Sequence, residues 1–116
     1  MNKNEDSRDH DHAIVERIFN DLMKSPKVSL SELFDRAKHG SIWSVYYIGE
    51  CYRLGKGVKR NLQEAANLYI QSANRGHLLS AYRMAWMAKT TGQSQKAIEW
   101  YKYCADDGDP PSMNNL

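Results

Sequence analysis

Three glycines, Gly40, Gly76 and Gly108, set this chain in register with itself. Each follows an alanine by three residues (Ala37, Ala73, Ala105) and precedes a serine by four (Ser44, Ser80, Ser112). Ile48, Met84 and Leu116 fall eight residues after the glycines, and Gly49 and Ala85 fall nine after the first two. Ala65 and Ala97 stand eight residues before Ala73 and Ala105, with the small Ser29 in the matching place of the first unit, and Tyr69 aligns with Tyr101. Small side chains at fixed offsets mark places where neighbouring helices approach closely, because a larger residue there would push the stack apart. Self-similarity at this period is the mark of a helical repeat array. The predicted fold is therefore all-α, a stack of antiparallel helix pairs, with units at 41–76 and 77–108 and the opening of a third at 109–116. The glycine spacings are 36 and 32 residues. The shortening falls in the turn inside the hairpin, where "GKGVKRN" of the first unit faces "TTGQSQ" of the second.

Ahead of the repeats, Ile14, Val15, Ile18, Phe19 and Leu22 recur at spacings of three and four, which predicts one apolar stripe of a helix. Ser25-Pro26 ends it, since the residue before proline is driven out of the helical region. "SLSE" at 29–32 offers a serine cap with glutamate three positions on, opening a second helix that carries Leu30, Leu33, Phe34 and Ala37 and closes at Gly40. Residues 12–40 thus read as an N-terminal capping hairpin, and the charged 1–11 as a disordered polar tail. All of 12–116 forms a single domain, in keeping with a chain of 116 residues.

The run Gly40, Ser44, Ile48-Gly49, Tyr52, Gly55-x-Gly57-Val58, Asn61, Ala65, Tyr69, Ala73 and Gly76 closely resembles the Sel-one-like repeat, a relative of the tetratricopeptide repeat. The resemblance covers roughly residues 29–116. It implies a right-handed α-α solenoid that serves as an interaction scaffold. The second unit departs from the pattern: it lacks the G-x-G-V turn and is more like a tetratricopeptide hairpin, with Ala97, Trp100-Tyr101, Ala105 and Gly108 in its second helix.

Chemistry other than binding finds little support. "GKGVKR" lacks the G-x-x-x-x-G-K-[ST] spacing and follows no strand, so it reads as a tight turn in which Gly55 and Gly57 bend the backbone and Val58 folds back, with Lys56, Lys59 and Arg60 solvated at the tip. No serine sits in a G-x-S-x-G elbow, and His39 and His77 stand at helix corners, where they cap ends. An enzyme is not expected, nor is a cofactor. Asp9, His10, Asp11 and His12 have the chemistry of metal ligands, yet a tail without a scaffold fixes no ligand geometry, so no metal is expected. Cys51 and Cys104 form no C-x-x-C pair and read as reduced thiols. With 16 basic against 14 acidic side chains, the net charge of +2 provides no track for nucleic acid. The N-terminal stretch has no apolar signal core and no long apolar run follows, so no membrane is expected and the chain reads as cytoplasmic.

Partner binding remains. In related solenoids the first helix of each hairpin lines the concave face, which here implies Trp43, Tyr46, Glu50 and Arg53 beside Leu79, Tyr82, Trp86 and Lys89. An aromatic floor with charged ends suits a peptide or helix of a partner protein. The competing reading is that some of these rings fill the seams between helices, since periodicity does not fix a helix's rotation; Tyr47 and Met87, next to the stripe, read as core. A second surface lies at the C-terminal helix, where Ile98 and Tyr101 need a cover. Either the short following segment folds over them or a second protein does, as in a homodimer. The alternative function is thus a self-associating or immunity-like protein that holds a cognate partner by its end or convex surface.

Overall fold

The computed structural model describes residues 3–25 and 30–106. Among these the chain is a run of six helices with no strand: α1 (Lys3–Lys24), α2 (Ser31–Lys38), α3 (Ile42–Leu54), α4 (Leu62–Asn74), α5 (Leu78–Thr90) and α6 (Ser94–Asp106). Consecutive helices pack as antiparallel pairs, α3 on α4 and α5 on α6, with α4 against α5 joining the pairs and α1 and α2 both against α3. Principal extents of 41 × 38 × 20 Å fit two layers of helices, each about 10 Å across. The helical-pair architecture expected from the repeats is what forms.

Local chemistry explains the boundaries. The side chains of Ser41, Asn61 and His77 are the N-caps of α3, α4 and α5, accepting from the backbone N–H groups of Ser44, Glu64 and Ser80. Ser41 and His77 occupy the same place after Gly40 and Gly76, and both glycines take positive φ, 95° and 89°, to reverse the chain. α1 stops at Lys24, just ahead of Ser25-Pro26. α2 departs from expectation: its N-cap is Leu30, with no side-chain cap, and Glu32 reaches forward to Arg36 (3.9 Å) rather than back. Ser29 lies outside the described residues.

The N-terminal tail also needs correcting. Helix α1 begins at Lys3, so most of the stretch 1–11 expected to be disordered is helical. Once the apolar stripe Val15, Ile18, Leu22 is buried, extending the helix toward the N-terminus adds one hydrogen bond per residue without a new nucleation cost. Its inner end is also anchored. Ser41 Oγ donates to the Asp11 carboxylate at 2.7 Å, and the His12 ring stacks on Trp43 at 3.5 Å between centroids.

Burial follows the repeat. One apolar cluster joins α1, α2 and α3 (Val15, Ile18, Leu22, Leu33, Ile48, Cys51), and a second joins α4, α5 and α6 with Tyr46 of α3 (Tyr69, Ile70, Met84, Trp100, Tyr103). Trp43, Tyr47 and Tyr52 touch both. The small residues sit where helices meet: Ala65, Ala73, Ala81 and Ala85 are fully buried. Gly49 shows the need most clearly, because a Cβ there would lie 2.9 Å from Cε1 of the fully buried Tyr69. The "GKGVKR" turn folds back as expected. Gly57 has φ of 75°, its Cα faces Leu30 and Leu22, and Val58 packs on the N-terminal cluster.

Candidate functional site

The eight residues expected along a concave face divide into two groups. On α3, Tyr46 and Glu50 are buried, at 3% and 5% exposure, and do not line an open groove. Tyr46 shares a core cluster with the small, fully buried Ala81 and Ala85 of α5. Its ring lies among Trp43, Tyr47, Tyr69 and His77. Trp43 is half-buried, covered by His12 from α1 and met edge-on by His77 at 4.4 Å. Tyr46 thus lies within a seam between helices, while Trp43 is partly covered. Met87 is buried as core, and Tyr47, half-buried, packs against both clusters.

On α5 the row is on the surface. Leu79, Tyr82, Trp86 and Lys89 are all exposed, and the Arg53 guanidinium reaches across from α3 to lie 5.7 Å from the Trp86 ring centre, within cation–π range. Arg53 is held there by Glu50: Nη2 donates to Oε2 at 2.8 Å and Nε to Oε1 at 3.3 Å. The Tyr69 hydroxyl donates to Glu50 Oε1 at 2.5 Å, and Arg83 Nε stands 3.0 Å from the same oxygen as an ion pair, although its N–H does not point along that line. Burial alone would push the Glu50 carboxyl up. The Arg53 fork, the Tyr69 hydroxyl and the Arg83 charge outweigh it and hold the group below its ordinary value. One buried carboxylate thus pairs with two guanidiniums, of which Arg53 lies against the Trp86 ring. Arg83 was not legible as part of this network, because its place in the repeat matches Tyr47, an aromatic core residue.

Among the described residues the α6 end of the stack is exposed. Tyr69 is fully buried by the following pair, whereas its repeat equivalent on α6, Tyr101, is 42% exposed. Ala66 and Ile98 are related in the same way, as are Tyr46 and Tyr82. Ile98 and Tyr101 are therefore surface residues among the described part of the chain, presenting the face that α3 and α4 bury against α5 and α6.

None of this geometry activates a nucleophile. Burial, helped by the Glu50 charge, pushes the Cys51 thiol up to about 12, and burial raises Cys104 as well. Both cysteines are free thiols. His77 is used as a cap: Nδ1 accepts from the Ser80 backbone at 3.3 Å and pairs with Ser80 Oγ at 2.8 Å. Burial, then the charge of His12, depresses its pKa to about 4. Among the described residues no group of three His, Cys, Asp or Glu side chains could hold a metal ion. Asp11 and His12 are instead engaged with Ser41, Glu16 and Trp43.

The comparisons agree with the register of glycines and alanines. The Sel1 repeat model matches residues 44–77 and 78–109, more than half of the chain. The chain belongs to the Sel1 repeat family. Neither the comparison with curated proteins nor that with solved structures found a match. Sel1 repeats are helical-pair solenoid units that mediate protein–protein interactions, and proteins built from them are typically adaptors rather than enzymes. The first matched unit starts three residues after Ser41 and the second one residue after His77, and each ends one residue past a glycine of the register. No helix among the described residues is long and apolar enough to cross a membrane.

Proposed function

We propose that this Sel1 repeat protein is a small adaptor that holds a peptide or helix of one partner protein on the α5 surface, with the Arg53 edge of α3 as its boundary. The observation that carries this is the exposed row Leu79, Tyr82 and Trp86, three large apolar side chains on one helix face with Arg53 against the last of them. Large aromatic groups of limited rotamer freedom, next to a cation fixed by a buried carboxylate, give contact area at small entropic cost. Trp43, Tyr46 and Glu50 act as the support that fixes α5 and Arg53, without touching the partner. Two free thiols suit a reducing, cytoplasmic setting.

The test is affinity capture of the native partner by the wild-type chain and by Tyr82→Ala and Trp86→Ala, each checked for unchanged helicity. Loss of about tenfold or more in retention is expected of each, as for central aromatic anchors. Undiminished capture by both would refute the reading.

The open end face favours a second reading, self-association through Ile98 and Tyr101, because these residues repeat a surface that is buried one unit earlier. Sedimentation of wild type and Ile98→Asp across a hundredfold concentration range, on the order of micromolar upward, separates the two. A concentration-independent monomer would remove the second reading and leave the first intact.

A further inference from the structure

Charge is unevenly spread along this chain in a way its net value conceals. Between residues 51 and 98 there are eight Lys and Arg side chains and a single acid, Glu64. Most of these cations gather at one end of the stack. Arg53, Lys56, Lys59 and Arg60 belong to the last turn of α3 and the loop after it, and Lys89 to the last turn of α5. At the same end a cavity of about 450 Å³ opens between the two hairpins, lined by Arg53, Leu54, Arg60, Leu62, Trp86 and Met87 on three sides and by Thr90 and Thr91. Leu54, Leu62 and Trp86 are among the most exposed large apolar residues, at 43%, 38% and 44%. A shallower groove continues from it over Ala66 and Ala88, sharing Leu62, Met87 and Thr91.

The two rim cations differ. Arg53 is committed to Glu50 and gives the cavity its position over Trp86. Arg60 donates Nε to the Arg53 carbonyl at 3.3 Å, is exposed, and has no carboxylate within ion-pair distance among the described residues. Lys89, beside Thr90 at the end of α5, is likewise exposed and without a carboxylate in ion-pair distance among the described residues. An apolar floor wide enough for a side chain, edged by cations and by no acid, fits a segment that brings an apolar residue and its own carboxylates.

We infer that this cavity is the anchor point of the partner, and that the partner's segment is acidic: an aliphatic or aromatic side chain enters between Leu54, Leu62 and Trp86, and a neighbouring Asp or Glu meets Arg60 and Lys89. This rests on the protein-binding reading above and narrows it to one chemistry. Nucleic acid is the weaker fit, because the cations cluster at one end around an apolar pocket and form no track for successive phosphates.

The experiment uses the full chain and four fluorescein-labelled probes: a short peptide with Leu and Phe flanked by Glu, the same peptide with Gln for Glu, the same with Lys for Glu, and an oligothymidylate. Fluorescence anisotropy at two salt concentrations reads the affinities of wild type, Arg60→Glu, Trp86→Ala, and Arg17→Glu on the remote, exposed part of α1 as a control of equal charge change. The Glu peptide is expected to bind best, to weaken with salt, and to lose about tenfold in affinity with Arg60→Glu or Trp86→Ala and less than about twofold with Arg17→Glu. Equal binding of the Glu and Gln peptides, with both lost in Trp86→Ala, would overturn the acidic chemistry while leaving a protein-binding α5 surface in place. The inference is also overturned by a stronger response to the oligothymidylate, by equal effects of Arg60→Glu and Arg17→Glu, by self-association that Trp86→Ala abolishes, or by no binding of any probe. Native-partner capture that survives Trp86→Ala and Tyr82→Ala would instead defeat the broader reading.

Discussion

Tyr69 and Tyr101 make a controlled pair: the same residue at the same repeat position, one fully buried and one exposed among the described residues. Tyr69 is fully buried, lies against Gly49 and donates a hydrogen bond from its hydroxyl to the buried Glu50 carboxylate. Replacing it by alanine removes a ring from the second core, a change that costs about 3–5 kcal/mol in large-to-small substitutions, and leaves Glu50 short of a charge-assisted hydrogen bond. A loss of about 4–5 kcal/mol is expected for Tyr69→Ala, a large share of the ~5–15 kcal/mol that holds a domain together. Tyr101→Ala, at a position 42% exposed, is expected to cost about 1 kcal/mol or less. Tyr46→Ala and Tyr82→Ala repeat the comparison on the first helix of each pair, buried against exposed. Urea titrations followed by circular dichroism, at two protein concentrations, give the free energies. If Tyr101→Ala costs as much as Tyr69→Ala at both concentrations, another part of the same chain covers the α6 face and the reasoning from repeat equivalence is wrong. A cost that appears only at the higher concentration would show a second copy covering it.

Other outcomes follow from single sites. Glu50→Gln leaves two guanidiniums without their carboxylate and should lower unfolding free energy by about 3 kcal/mol, whereas Arg83→Met, removing the outer cation, should cost distinctly less in the same titration. His77 has a folded pKa of about 4 against an ordinary 6.5, so the unfolded chain takes up its proton first as pH falls. Wild type should therefore lose about 2 kcal/mol between pH 7.5 and pH 5 from this group alone, and His77→Asn, which keeps a capping side chain, should lose that pH dependence; an unchanged slope would refute the assignment. Gly57→Ala combines a φ of 75° with a Cβ placed 3.3 Å from Leu30, while Gly92→Ala has φ of 80° and open space around it. Thermal melts should show Gly57→Ala as the more costly by about 1 kcal/mol or more.

The architecture was legible because it rests on small residues at fixed offsets, and offsets survive in a linear string. Gly49, Ala73 and Ser44 each predicted a close approach without any knowledge of what lay opposite. The binding surface was only half legible, because deciding whether Tyr46 faces a groove or a seam requires the rotation of α3 about its axis, and a period of three and four leaves that angle open. The polar network was hidden for a related reason. Glu50 and Arg83 lie far apart in sequence and fall at non-equivalent repeat positions, so no periodic signal joins them. The start of α1 was missed because composition scored residues 3–11 as a solvated tail, whereas a nucleated neighbour carried the helix through them.

The long turn after α3 has a consequence for how such a stack comes apart. Through Gly57 and Val58 it reaches back to Leu22 and Leu30, so the first matched hairpin clasps the helices before it as well as resting on them. The shorter turn after α5 bends at Gly92, where a Cβ would meet open space. Unzipping should therefore start from the α5–α6 end and run toward α1, with amide protons of α6 exchanging first and those of α3, gripped from both sides, exchanging last.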